Sequence, residues 1–396
     1  MCNGTIMDKL ISFSIPLMLS GILQLMFNAV DIIVVGRFSG SQALAAVGST
    51  TALINVFTNL FIGISLGANV LAARYYAVGK TKEMSETVHT AIALALVSGV
   101  AMAVIGVVFA RGALEIMGTP DDVIAKSTLY MRIYFCGMPF FMMYNYGAAI
   151  LRAVGDTKRP LIFLIVSGVI NAVLNLFLVI GFHLDVAGVG IATVISQLVS
   201  CILVLRCLHH TESSYQLHLA KLRIRSVYLK QIFEVGVPAG IQSTVINISN
   251  AMLQSSVNSF GSIAMAGYTA SNNIFGFLYV SVNSFTQACM SFTSQNYGVK
   301  KLKRMDRVLI DCMILSVVVT LILGSSVYIF GPELLHIYSN QADVIKYGME
   351  IFSYTTVTYF LCGLMDLFPG ALRGMGYSTV PMILSIIGTV GVRIIW

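Results

Sequence analysis

In a chain of 396 residues, of which 57% are apolar and 10% charged, a carboxylate inside an apolar run needs a reason. An Asp at the centre of a membrane-spanning helix costs about 2.5 to 3.5 kcal/mol on insertion scales. Two carboxylates stand well inside such runs, Asp31 and Asp366. Asp31 shares a helical face with Asn28 and Gln24, three and seven positions before it. Asn171 and Asn175 stand one turn apart in a later run, and Thr193 follows in the next. A carboxylate with amide and hydroxyl oxygens makes a shell for a hard cation such as Na⁺. A lone Asp desolvated among amides could equally carry a proton. The residues leave both chemistries open.

A second polar set has no charge. Ser243, Asn247, Asn250, Gln254 and Asn258 are spaced at steps of 4, 3, 4 and 4, a single helical stripe. Asn272, Asn283 and Gln287 add amides in the following run. Amides facing lipid are costly, so the stripe is expected to line a water-filled cavity. Asp366 is expected either to join that cavity or to form a buried pair with Arg393.

The elements that must position these groups are membrane spans. A span takes about 20 mostly apolar residues, and eleven such stretches are present: 10–35, 43–72, 88–109, 123–151, 161–182, 186–208, 232–260, 262–295, 308–330, 344–372 and 380–396. With a cytoplasmic N-terminus, eighteen Lys and Arg residues, Arg373 among them, fall on the inside and five outside. That is the bias of the positive-inside rule. The net charge of +7 is therefore a topology signal and calls for no nucleic acid. The seven Cys are scattered with no CxxC pair and read as small core hydrophobes. No cofactor is expected beyond a coupling Na⁺ or H⁺, with Na⁺ a candidate at Asp31, Asn171, Asn175 and Thr193.

The chain resembles itself at an offset of about 221. Ala73-Arg-Tyr-Tyr-Ala-Val-Gly-Lys-Thr-Lys-Glu-Met84 aligns with Ser294-Gln-Asn-Tyr-Gly-Val-Lys-Lys-Leu-Lys-Arg-Met305. Leu151-Arg-Ala-Val-Gly-Asp-Thr-Lys-Arg-Pro160 aligns with Leu372-Arg-Gly-Met-Gly-Tyr-Ser-Thr-Val-Pro381. Gly40-Ser41 matches Gly261-Ser262, and Pro16 matches Pro238 one residue off. A six-span repeat keeps one orientation, so the halves are parallel repeats about an axis along the membrane normal, as in secondary transporters. This gives an all-α membrane protein of two six-helix lobes: 1–208, a cytoplasmic connector at 209–225, and 226–396. The partner of the sixth span falls past Trp396, so the second lobe is expected to lack its last helix in this chain.

Pro16-Leu-Met-Leu-Ser-Gly21, Val30-Asp-Ile-Ile-Val-Val-Gly-Arg37 and the Leu151–Pro160 segment together resemble the multidrug and toxic compound extrusion (MATE) family, along essentially the whole chain. The resemblance implies a cation-driven antiporter of the cell membrane. Na⁺ or H⁺ entering the cell would drive export of amphipathic, often cationic, drug-like compounds as two lobes rock, with the protein acting as a monomer in the bilayer. It also implies a bend in the first helix at Pro16. The family's N-lobe cation site draws on positions matching Asp31, Asn171, Asn175 and Thr193. Some members carry Asp at the position of Asn175, and some a glutamate in the seventh helix. This chain has Asn175 at the first and no glutamate along the stripe from Ser243 to Asn258, so Asp31 is the sole carboxylate of the N-lobe set. The substrate cavity is expected to involve Gln24, Asn28, Asn247, Asn250, Gln254, Asn283, Gln287 and Asp366.

Other classes fare worse. Gly155-Asp-Thr-Lys-Arg-Pro160 lacks the spacing of a phosphate-binding loop and reads as a tight cytoplasmic turn. Transport must then run on an ion gradient. No HExxH, GxSxG or paired intramembrane Asp motif points to an enzyme. A lipid-linked-precursor or polysaccharide flippase of a related superfamily would carry a more basic N-lobe cavity.

Overall fold

The computed structural model describes residues 1–395; Trp396, the last residue of the eleventh stretch, lies outside it, as do the side chains of Ser41, Ala52, Ser255, Asn258 and Ile394. No strand occurs among the described residues. Lipid supplies no hydrogen-bond partners, so each spanning segment must satisfy its backbone internally, and long apolar runs become helices.

The helices are α1 (Met7–Phe38), α2 (Ser41–Val78), α3 (Thr81–Ile116), α4 (Asp121–Cys136), α5 (Met138–Ala153), α6 (Lys158–Leu176), α7 (Asp185–His209), α8 (Ser226–Asn258), α9 (Ser262–Gly298), α10 (Leu302–Ile329), α11 (Gly331–His336), α12 (Ala342–Thr358), α13 (Phe360–Met375), α14 (Thr379–Ser385) and α15 (Val392–Ile395). Each of the eleven apolar stretches falls on one or more of these. Two stretches are broken: 123–151 at Gly137, between α4 and α5, and 344–372 at Tyr359, where α12 and α13 meet with a bend of 48°. One ends in a π-helical turn, Phe177–Gly181 after α6, and 380–396 contains another, Ile386–Gly391, between α14 and α15.

Among the described residues, six helices qualify by length and composition as membrane spans on their own, and a seventh does if α12 and α13 form one span. The six are α1, α2, α3, α6 with its π turn, α7 and α10. Helices α8 and α9 are as long, at 33 and 37 residues, but their Ser, Asn and Gln residues lower the mean hydropathy.

The chain divides into two compact units, one of Leu19–Gly240 and one of Met1–Met18 with Ile241–Trp396. Boundaries drawn through loops at 208 and 226 differ from this division. The first residues of α1 pack with the C-terminal half, and the first half of α8 packs with the N-terminal half. Both helices change unit two residues after an internal proline, Pro16 in α1 and Pro238 in α8.

Within unit 19–240, the start of α8 is moored to α2 by glycines. A Cβ built on Gly63 would lie 2.3 Å from the Gly240 Cα, and one on Gly67 would lie 2.1 Å from the Ile232 carbonyl oxygen. Gly63 and Gly67 face Gly236 and Gly240 with a four-residue spacing on each helix, the small-residue arrangement that lets membrane helices touch by backbone. Tyr146, Phe135, Met138 and Met142 fill the core of this unit.

The connector is strapped to the same unit. The His218 amide donates to His89 Nε2 on α3 (3.1 Å), while His89 Nδ1 bonds the Ser85 carbonyl (2.6 Å). Glu86 pairs with Arg223 and Arg225. In the other unit, Leu10, Phe13 and Leu17 of α1 join Phe285, Cys289 and Phe292 of α9 and Leu367 of α13. The Phe13 and Phe292 rings meet edge to face at 5.6 Å.

Candidate functional site

The N-terminal half builds one polar centre, on α1 and α6. Asn175 Nδ2 donates to an Asp31 carboxylate oxygen and also to Asn171 Oδ1, the latter at 3.1 Å. Asn171 and Asn175 are 5% and 0% exposed, and Asp31 is half-buried. Asn175 Oδ1 is buried and has no hydrogen-bond partner. A carboxylate, an amide oxygen already engaged and an orphaned amide oxygen are therefore gathered in one place. That donor set is all oxygen, as a hard cation requires. Leaving a buried acceptor unsatisfied costs about 1 to 3 kcal/mol, which a ligand at the site would recover.

A close approach brings the two helices together here. Gly168 on α6 stands one turn before Asn171 and makes room for the Phe27 ring, one turn before Asp31 on α1. On α4, buried Tyr130 and half-buried Tyr134 lie within electrostatic reach of Asp31. Both tyrosines lie outside the set read from the sequence. Thr193 is placed differently from the other members: its hydroxyl donates to the Val189 carbonyl of its own helix, at 2.9 Å. Gln24 and Asn28 are exposed positions of α1.

The C-terminal half builds a second centre. Gln287 Nε2 donates to Asn283 Oδ1 (2.6 Å), and Tyr279, one turn before Asn283, lies within electrostatic reach of Asp366 on α13. Tyr279, Asn283 and Gln287 are successive turns of one face of α9. Arg373, two turns after Asp366 on α13, acts on the carboxylate through space. Its Nη2 donates to buried Gln242 of α8, and Gln242 Nε2 donates in turn to Ser385 Oγ of α14 (2.9 Å).

This corrects the expected pairing of Asp366 with Arg393. Arg393 instead donates to Asn250 Oδ1 (2.7 Å) and Ser249 Oγ (3.4 Å). Arg373, expected in a cytoplasmic loop, stands in the last turn of α13, seven residues after Asp366. The polar stripe is only partly joined to this centre. Asn250 takes Arg393, exposed Asn247 donates to the Ser243 carbonyl (3.0 Å), Gln254 is half-buried, and the Asn258 side chain lies outside the described residues.

A third carboxylate also sits inside an apolar stretch. Asp311 of α10 is 3% exposed and pairs with Arg307 one turn earlier, at 3.2 Å. In the N-terminal half, Arg74 and Arg152 are half-buried near the ends of α2 and α5, so that half does contain partly buried guanidinium groups. The Gly155–Pro160 turn is tight: Asp156 accepts from the Arg159 amide (3.1 Å) and pairs with its guanidinium (3.3 Å).

A family model described as MatE matches residues 16–177 and 238–396, two segments that begin at the prolines where the helices change unit. The chain is similar to the probable multidrug resistance protein YoeA of Bacillus subtilis, 29% identical over 96% of this chain and 84% of that protein. It is also similar to the multidrug export protein MepA of Staphylococcus saprophyticus, 23% identical over 97% of this chain and 85% of that protein. Among solved structures, an outward-facing multidrug resistance MATE family transporter superposes with a TM-score of 0.92 at 20% identity, over 98% of this chain and 87% of the other. A transporter of the MOP superfamily from Pyrococcus furiosus gives 0.92 at 22% identity, over 99% and 88%. With the family match extending over most of its length and both halves of its repeat, this chain belongs to the MATE family of membrane transporters.

Proposed function

We propose that the protein is a secondary active antiporter of the cell membrane, with a cytoplasmic N-terminus, that admits Na⁺ or H⁺ and exports amphipathic, often cationic, compounds. The observation that carries this reading is the Asp31–Asn175–Asn171 cluster with its orphaned amide oxygen. A coupling residue must gain and lose a cation in each cycle, and Asp31 is the only carboxylate of that cluster. The cation is the proposed coupling ion; the export of drug-like compounds is supported by the names of the relatives, which speak of multidrug resistance and export. The chain's own residues would hold the ion through the Asp31 carboxylate and the Asn171 and Asn175 amide oxygens. Alternating access follows if the ion is held more tightly in one state, since equal affinity for both shifts no equilibrium.

The test is uphill efflux of a fluorescent cation from proteoliposomes under an imposed Na⁺ or proton gradient. Asp31→Asn keeps size and hydrogen bonding while removing the charge, so insertion is spared and gradient-driven export falls close to background. Asn171→Ala and Asn175→Ala give milder defects with a raised cation requirement. Wild-type export by Asp31→Asn with unchanged ion dependence would show that Asp31 does not couple.

A further inference from the structure

We propose that the connector between α7 and α8 is an acid-labile strap, fastened to α3 by the unprotonated Nε2 of His89 and released when that one nitrogen takes a proton.

The state of the ring follows from its two partners. His89 lies early in α3 and is 3% exposed. Its Nδ1 stands 2.6 Å from the Ser85 carbonyl oxygen. A carbonyl only accepts, so Nδ1 carries the hydrogen. Its Nε2 stands 3.1 Å from the His218 backbone nitrogen, which only donates, so Nε2 offers a lone pair. Both nitrogens of an imidazolium are donors. A proton on Nε2 therefore sets two N–H groups against each other, while the Ser85 bond keeps the ring where it is.

The other fastenings do not respond in this way. The Arg225 amide donates to the Thr90 hydroxyl (3.3 Å), Glu86 pairs with Arg223 and Arg225, and the Tyr75 hydroxyl of α2 donates to Gln231 Oε1 near the start of α8 (3.0 Å). Histidine is the side chain whose ordinary titration falls between about pH 5 and 8. His209 and His210 use Nδ1 on the carbonyls of Leu217 (2.9 Å) and Arg206 (3.0 Å), and a ring keeps that donor when it is protonated. Only His89 serves the connector as an acceptor.

The charges around the ring do not rescue its protonated form. From the connector it meets His218, whose ring stacks on it with centroids 6.3 Å apart, and beside it His209 and Lys221. On α3 itself Glu83 pairs with Lys80 (3.5 Å) and Glu86 with its two arginines, so neither is free to hold an imidazolium in place. Glu212 of the connector is exposed. The ends of α2 and α5 contribute the cations Arg74 and Arg152. A strapped state that excludes the proton opens up to about tenfold more for each pH unit below the titration.

The donor amide itself reports the strap. Hydrogen exchange of the full chain in detergent micelles, read by mass spectrometry on peptides covering His218, gives a protection factor once the intrinsic rate at each pH is divided out. Wild-type protection is expected to fall about tenfold or more between about pH 7.5 and 5.5. His89→Gln keeps an acceptor that does not titrate and His89→Leu offers none, so protection is flat with pH in both and low in the second. His218→Asn and His209→Gln keep the wild-type dependence. Melting curves at both pH values establish that each variant is folded. Micelles leave both faces accessible, so the result does not depend on the proposed orientation, under which the strap responds to cytoplasmic acid. Wild-type protection that is unchanged over this range overturns the inference. So does a pH dependence that persists in a folded His89 variant, or one that His218→Asn or His209→Gln abolishes, because another histidine would then be the sensor.

Discussion

The junction of α1 and α6 gives a sharp prediction, because a single methyl group tests whether their spacing sets the site. A Cβ on Gly168 would lie 1.8 Å from Phe27 Cζ, 2.0 Å from Cε2 and 2.4 Å from Cε1. Carbon atoms in ordinary contact stand about 3.5 to 4.0 Å apart, so Gly168→Ala forces the ring or the helix to retreat by roughly 2 Å. Asp31 is one turn beyond Phe27, and Asn171 and Asn175 are one and two turns beyond Gly168. If α1 moves, the Asn175–Asp31 hydrogen bond is carried past its useful range of about 3.2 Å. Overpacking of this kind costs about 1 to 3 kcal/mol. Should that strain fall on the cation-holding arrangement, apparent cation affinity drops by roughly 5- to 150-fold. The assay is the cation concentration that half-activates efflux in proteoliposomes, with a melting curve to confirm the fold. Trimming the obstacle should repair the defect, so Phe27→Ala in the Gly168→Ala background restores affinity toward the wild type. If folded Gly168→Ala is activated by the same cation concentration as the wild type, the helix spacing at Gly168 does not set the site.

Two further outcomes concern stability and the connector. Gly240→Ala places a methyl 2.4 Å from the Leu60 carbonyl oxygen, a backbone atom that cannot swing aside, and should lower the melting temperature; Gly276→Ala, which meets nothing within 4 Å, is the control. His89→Leu removes the acceptor of the His218 amide and should speed limited proteolysis within 209–225. Glu86→Gln should do so less, because its Arg223 and Arg225 partners are half exposed, at 53% and 50%, and such pairs are worth about 0 to 1 kcal/mol. Equal cleavage rates in wild type and His89→Leu would show that this contact does not hold the connector.

What could be read from the sequence was what lipid enforces. Apolar runs must be helices, and an Asp among them is rare enough to stand out, so the helical stretches, Asp31 and the Asn171–Asn175 face are legible from spacing, while the grouping of the three comes from the family resemblance. The break at Gly137 is marked in the sequence by Pro139, which sits in the first turn of α5, whereas no Gly or Pro adjoins the break at Tyr359. Arg373 was misplaced because counting charges by loop treats every Arg near a helix end as solvated, whereas a long side chain can turn back along its helix. Asp311 was passed over near the start of its apolar run, where Arg307 one turn earlier makes a carboxylate look like part of the polar cap. The unit boundaries escaped notice for a related reason. Loops mark where the chain turns, but packing decides which unit a segment joins, and the backbone contact at Gly63 and Gly240 ties the start of α8 to α2 across the loop-based boundary.

The two halves of the repeat show what a buried charge demands of its surroundings. At the offset of 221, Asp366 corresponds to Asn145 and Arg373 to Arg152. Asn145 donates to the Phe141 carbonyl (2.8 Å) and Arg152 Nε to the Ala148 carbonyl (3.2 Å), both on their own helix. An amide is neutral, so at this position the first half has no charge to balance and its arginine bonds the backbone one turn away. In the second half the same position holds a half-buried carboxylate, and the matching arginine reaches out to Gln242 of α8. Asp31 accepts from the neutral amide of buried Asn175, which leaves its charge to offer an ion arriving from outside.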